Sequence, residues 1–113
     1  MVTIDKLRRG LTRYVDTELL PHLQGKDKWV VAGVLTMYLG KLPAIIQAAA
    51  NNEAIKMLGI IAADGSVDVE YIINSVKPIA KNTPASFQLP LSSSTITMRE
   101  DDLDLILDYI NGG

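Results

Sequence analysis

The groups in this sequence that could do chemistry are few, and most are charged. Lys6, Arg9 and Arg13 line one face of a predicted helix, with Arg8 beside them. Such a face fits phosphate or carboxylate oxygens. Asp5, Asp16 and Glu18 dilute it, and no recognition motif or interleaved aromatic accompanies it. The opposite charge gathers near the other end, where Asp101, Asp102, Asp104 and Asp108 share a predicted helix. Asp104 and Asp108 stand at i, i+4, a spacing at which two carboxylates could hold a divalent cation. The simpler reading is a solvated face whose first acids complement the helix dipole. A third reading pairs the basic face with the acidic helix, within one chain or between copies. Complementary charges of that kind set orientation more than affinity.

Other chemical tools are scarce. There is no Cys and one His, His22. That composition excludes disulfide frameworks, thiolate zinc sites, iron–sulfur clusters, thiol catalysis and multi-His metal sites. His22 follows Pro21 without a paired Ser, Cys or acid motif, and so fits a surface or capping role. No GxSxG, P-loop, GxGxxG or HExxH motif occurs. Residues 64–70, Asp-Gly-Ser-Val-Asp-Val-Glu, echo the second half of an EF-hand loop. Aligning Gly65 with the loop glycine puts Ile60, Ala62 and Tyr71 at positions 1, 3 and 12, where oxygen ligands are required. The likeness is therefore one of turn mechanics: Gly65 supplies a positive φ, Val67 anchors inward and Asp68 caps a helix. No cofactor, metal or enzymatic activity is expected.

The elements that must position these residues fit one domain, residues 1–113. Of the residues, 48% are hydrophobic and 21% charged, which argues against disorder. The net charge of −2 argues against a protein that coats nucleic acid. A first helix is predicted over residues 3–20, with Thr3 as N-cap and Val2 and Leu7 at staple spacing. Gly10 lies inside it at a cost of about 1 kcal/mol relative to Ala, which a close backbone contact would explain. A second helix is predicted from Asp27 as N-cap through Leu39. It is apolar nearly all round, the mark of a central helix covered on several sides. Trp29 and Tyr38 then fall in the core or an interface. Gly33, Thr36, Gly40, Ala44 and Ala48 form a small-residue stripe along it and beyond. Gly40 and Pro43 fit a stop and restart, a single kinked helix fits nearly as well, and a short helix over residues 54–58 follows a break or cap at 51–53.

After the turn at 64–66, Asp68 caps a helix whose apolar face runs through Val69, Ile72, Ile73, Val76, Ile79 and Ala80, with a kink at Pro78. The period then changes to two: Ala85, Phe87, Leu89 and Leu91, then Ile96 and Met98, alternate with polar residues or Pro90 in a β-hairpin. Pro84 and Pro90 give its first strand a free edge. A last helix carries Leu103, Ile106, Leu107 and Ile110, with Thr97 to Glu100 as its capping box. The expected fold is thus α+β: a mostly helical single domain of four to five helices with one C-terminal β-hairpin before the last helix. The N-terminus lacks the apolar run of a signal peptide. Residues 29–50 are the most membrane-like stretch, but Lys41, Pro43 and Gln47 interrupt it. A central Lys costs about 3 kcal/mol on insertion, so no membrane span is expected.

The segment order resembles small uncharacterised proteins encoded in phages and prophages of Gram-positive bacteria. The residues that carry the likeness are Ile4 to Leu11 (IDKLRRGL), Lys28 to Val31 (KWVV), Ile55 to Ile60 (IKMLGI) with Asp64-Gly65, Ser86 to Pro90 (SFQLP) and Ile96 to Met98 (ITM). The resemblance implies a bacterial cytoplasmic setting, a role in virion assembly, and no catalytic residues to carry over. The apolar second helix and a hairpin without a third strand are hard to cover within 113 residues. Both point to a second copy or another protein as partner, so the expected function is a self-associating, non-enzymatic interaction or assembly protein. The candidate contact residues are Lys6, Arg8, Arg9, Arg13, Phe87, Leu89 and Ile96. The alternative is a nucleic-acid-binding regulator using the basic face, and a third is a metal-dependent enzyme using the aspartates.

Overall fold

Six α-helices form among the residues that the computed structural model describes, which are 1–82, 85–88 and 95–112. They are α1 (Ile4–Tyr14), α2 (Lys26–Gly40), α3 (Leu42–Ala50), α4 (Glu53–Leu58), α5 (Val69–Asn82) and α6 (Glu100–Gly112). The chain is mostly helical, with more helices than the four to five expected. One helix ends at Gly40 and the next starts at Leu42, with Pro43 in its first turn, and the two axes bend by 46°.

The core grows from α1 against α6. Thr3 caps α1, its Oγ1 accepting from the Lys6 N–H at 3.2 Å, and Leu7, Gly10 and Tyr14 face inward. Gly10 meets Ile110, the most deeply buried large side chain at 1% exposure. A Cβ on Gly10 would lie 2.5 Å from the Ile110 Cα and 2.9 Å from its N and Cγ1. The close backbone approach that justifies a mid-helix glycine is therefore present. Tyr14 and Tyr109 pack edge-to-face with centroids 6.2 Å apart, a favoured aromatic geometry. Beyond Tyr14 the regular helix stops. Residues Val15–Leu19 form a π-helical turn and Leu20–His22 a 3-10 turn. Pro21 ends it, because its ring clashes with the carbonyl four residues back. The expected single helix to residue 20 is thus shorter.

α5 packs on α6 and adds Val69, Ile73 and Ala80 to the same core. Lys77 Nζ joins Asp104 Oδ1 at 2.7 Å across that seam. The helix continues through Pro78. Its start is held by the segment before it. Gly65 turns the chain at φ +87°, and the Asp64 Oδ1 accepts from the Ser66 N–H at 2.9 Å. Ala62 and Asp68 N–H donate to the Ser66 and Ile60 carbonyls, each at 2.8 Å. Val67 then exchanges two 2.8 Å backbone hydrogen bonds with Val2 and is buried. Asp68 caps α5, its Oδ1 accepting from Tyr71 N–H at 3.1 Å.

The second helix departs from expectation. Its N-cap is Gly25, at φ +57°, rather than Asp27, which lies in the first turn. Only Val31 is buried, and Trp29 is 82% exposed. α2 is peripheral, not central: Ala32, Leu35 and Leu39 face Val15 and Leu20 across a gap of about 50 Å³. The core is already filled by α1, α5 and α6 with Val67 and Ile46 of α3, and an all-round apolar pattern does not say which neighbours exist. Among the described residues no single helix is long and apolar enough to cross a membrane, although α2 and α3 together reach that length and composition.

Strands β1 (Ala85–Gln88) and β2 (Thr95–Met98) pair antiparallel in a two-stranded sheet, Ala85 opposite Met98 and Phe87 opposite Ile96. The Ser86 and Thr97 hydroxyls meet at 3.2 Å, and Met98 packs on the core. The expected tip, with Leu89, Pro90, Leu91 and the serines at 92–94, lies outside the described residues, as does Pro84. The cap of α6 is displaced from the expected Thr97–Glu100 box. Asp102 Oδ2 accepts from the Arg99 N–H at 2.8 Å, so Arg99 occupies the cap position and Asp102 reaches back as the third helical residue.

Two predictions follow from these contacts. Gly10→Ala overpacks the α1–α6 crossing and lowers stability by about 1–3 kcal/mol, roughly 5–15 °C in Tm. Gly33→Ala, where a Cβ meets nothing within 4 Å, leaves Tm unchanged or raises it through helix propensity. Thermal melts of the two variants check this contrast. The Ser66 hydrogen bond holds the Asp64 carboxyl below its ordinary pKa. A lowered folded pKa stabilises the loop above the unfolded value of about 3.9, and that stabilisation is lost as pH falls through the folded value. Exchange of the Ser66 amide, followed by NMR, therefore accelerates relative to core amides only below the normal carboxylate range.

Candidate functional site

The basic face lies on the open side of α1, because Leu7, Gly10 and Tyr14 turn the opposite side to α6. An open groove of about 480 Å³ is lined, among the described residues, by Lys6, Arg8, Arg9, Thr12 and Arg13. The structure thus brings together four of the seven sequence-predicted contact residues. Their electrostatic states differ. Arg8 Nη2 pairs with Asp5 Oδ1 at 2.9 Å, one turn back. Arg13 Nη2 donates to the Tyr109 carbonyl at 3.1 Å, which ties it to the core crossing. Lys6 is half-buried and Arg9 exposed, and neither has an acidic partner among the described residues.

The other three predicted residues belong to the hairpin. Phe87 and Ile96 sit opposite each other in the backbone register, and Leu89 lies outside the described residues. The aspartates of α6 divide by role. Asp102 caps the helix and Asp104 holds Lys77, while Asp101 and Asp108 stand exposed. The Asp104 contact raises the Lys77 pKa, as expected for an ammonium gaining a carboxylate. Among the described residues no three His, Cys, Asp or Glu side chains converge as a metal ligand set. Tyr109 Oη donates to Glu18 Oε1 at 2.7 Å, and this bond raises the phenol's pKa. That tie connects α6 to the π-helical turn.

Further exposed apolar side chains lie on α2 to α4. Trp29, Met37, Tyr38, Ile45, Met57 and Leu58 are exposed, whereas α2 and α3 bury only Val31 and Ile46. Every member of the stripe Gly33, Thr36, Gly40, Ala44 and Ala48 is exposed. The sequence showed the surplus of apolar helix but not its location, since Trp29 and Tyr38 are compatible with either core or interface. No family model, curated protein or solved structure matches this chain.

The split among the cations is measurable. Arg13→Ala removes a hydrogen bond at the α1–α6 seam and lowers stability by about 1 kcal/mol. Lys6→Ala and Arg9→Ala change it by less than about 0.5 kcal/mol. Urea denaturation of the three variants tests this, with equal losses for all three as the contrary result.

Proposed function

We propose that this chain is a non-enzymatic interaction protein that assembles with copies of itself, α2 and α3 supplying the main contact. The observation that carries this reading is the bare apolar helix pair. Trp29, at 82% exposure, stands with the exposed Met37, Tyr38 and Ile45 on helices that fully bury only Val31 and Ile46. Contiguous exposed apolar surface marks interaction sites, and large aromatic side chains dominate interface energetics. The small-residue stripe supports it, because Gly33 and Gly40 leave open space where a second helix can approach closely. The resemblance to proteins of phages and prophages of Gram-positive bacteria supports a setting in the bacterial cytoplasm or a virion.

A second reading rests on the α1 groove. Four cationic side chains around one open depression fit the phosphates of a nucleic acid, which would make the chain a DNA-binding regulator. Duplex DNA bound at low salt and released by Lys6→Glu/Arg9→Glu supports that reading.

Sedimentation velocity separates the two. The wild-type chain is oligomeric at micromolar concentration, and Trp29→Asp, which leaves the fold intact because the residue is exposed, reduces its mean mass. A wild-type chain that stays monomeric up to 100 µM, on the order of typical weak homodimer affinities, overturns the assembly reading.

A further inference from the structure

The groove on the open side of α1 has a chemistry that the apolar contact of α2 and α3 does not use. Among the described residues its lining is Lys6, Arg8, Arg9, Thr12 and Arg13, four cations and no acid. Its volume of about 480 Å³ falls within the range of small-ligand sites, roughly 300–1,000 Å³. Lys6, Arg9 and Arg13 stand at i, i+3 and i+7, a run of about 10 Å at 1.5 Å per residue. Arg8 is anchored by Asp5 at 2.9 Å and Arg13 by the Tyr109 carbonyl at 3.1 Å. These two hold fixed places at the groove and contribute their positive charge there. Lys6 and Arg9 have no acidic partner among the described residues. Lys6 is also half-buried, so it has less rotamer freedom to lose on meeting a ligand.

We propose that this groove binds the phosphate group of a small molecule, a monoester or a diphosphate, with Lys6 and Arg9 as the donors that reach it. A guanidinium grips two phosphate oxygens at once, and an ammonium adds a compact point charge. Residues three apart on a helix have Cβ atoms about 5–6 Å apart, close enough for both heads to meet one phosphate. The methylene stems of the Lys and Arg residues give the groove apolar wall for the rest of the molecule. A lone carboxylate matches four cations less well than a phosphate, which carries nearly two charges and three acceptor oxygens. A nucleic-acid duplex also fits less well. Asp5 and Asp16, both exposed, flank the cationic run in the chain, and the net charge of −2 repels an extended polyanion. The site lies on α1 and shares no residue with the apolar surface of α2 and α3, so it stands apart from self-association.

The test titrates the full chain, labelled with nitrogen-15, with inorganic pyrophosphate and with adenosine 5′-diphosphate at about 50 mM NaCl, where screening is weak. Both probes move the amide signals of residues 5–13 along one saturable curve, with a Kd below about 1 mM. Lys6→Ala/Arg9→Ala weakens binding at least about tenfold, through the loss of two charge-assisted hydrogen bonds. Lys6→Gln/Arg9→Gln, which keeps the stems, gives the same loss, and circular dichroism confirms that both chains are folded. Lys26→Ala/Lys28→Ala, which removes two exposed cations of α2, leaves the Kd unchanged. The proposal is overturned if no saturable shift occurs up to about 10 mM probe, if the shifts spread equally to the lysines of α2 and α4, or if the variants at Lys6 and Arg9 bind as wild type. Pyrophosphate bound while the nucleotide is not marks an inorganic-anion site and also overturns it. So does a DNA duplex of about 20 base pairs that binds at least about tenfold more tightly than the nucleotide, because the groove is then a backbone contact. Any of these failures leaves the α2–α3 contact standing, since sedimentation of the Trp29→Asp chain reads that contact separately.

Discussion

The structure depends on one backbone contact, Gly10 of α1 against Ile110 of α6. Close approach of two helices forbids a side chain at the point of contact, and that is why a residue unfavourable within a helix is present there. The neighbouring interactions take their geometry from this crossing. Tyr14 and Tyr109 stack at its edge, Arg13 reaches the Tyr109 carbonyl, and Tyr109 extends to Glu18. Because α1 turns its glycine face inward, its cations point outward. Because α6 turns Leu103, Ile106 and Ile110 inward, its aspartates point outward as well. The surface charge pattern is a consequence of the core.

Around that pair the chain is built with unequal firmness. α5 is tied on by apolar packing, by the Lys77–Asp104 contact and by the Val67 segment, which exchanges hydrogen bonds with Val2 at the other end of the chain. α2 to α4 lack comparable ties. α3 reaches the core only through Ile46 and Leu42, and α2 meets the turns after α1 across a gap, with large apolar side chains left in solvent. Burial at about 25 cal/mol per Å² rewards any surface that covers them, and this is the physical basis for the proposed assembly.

Much of the local structure was legible because it is written in single residues. The caps at Thr3, Asn52 and Asp68 stand where hydroxyl, amide and carboxylate side chains precede apolar periodicity, and each accepts a backbone hydrogen bond. The positive φ of Gly65 and the close approach at Gly10 follow from glycine's lack of a Cβ. What failed concerned neighbours that periodicity cannot supply. An all-apolar helix reads alike whether buried or bare, so α2 was placed at the centre. The cap of α6 moved two residues because Asp102 can reach back to the Arg99 N–H, a competition that spacing alone does not resolve. Of the candidate site, the α1 cations were legible as a group. Their separation into the tied Arg8 and Arg13 and, among the described residues, the unpaired Lys6 and Arg9 required Asp5 and Tyr109 in three dimensions.

Native-state hydrogen exchange tests most directly whether the α1–α6 crossing organises the molecule. The account predicts that the amides of Leu11 and Ile110 exchange only through global unfolding, with the same free energy, while α2 amides exchange through a smaller opening. Amides of α2 that outlast those of α1 and α6 would contradict it.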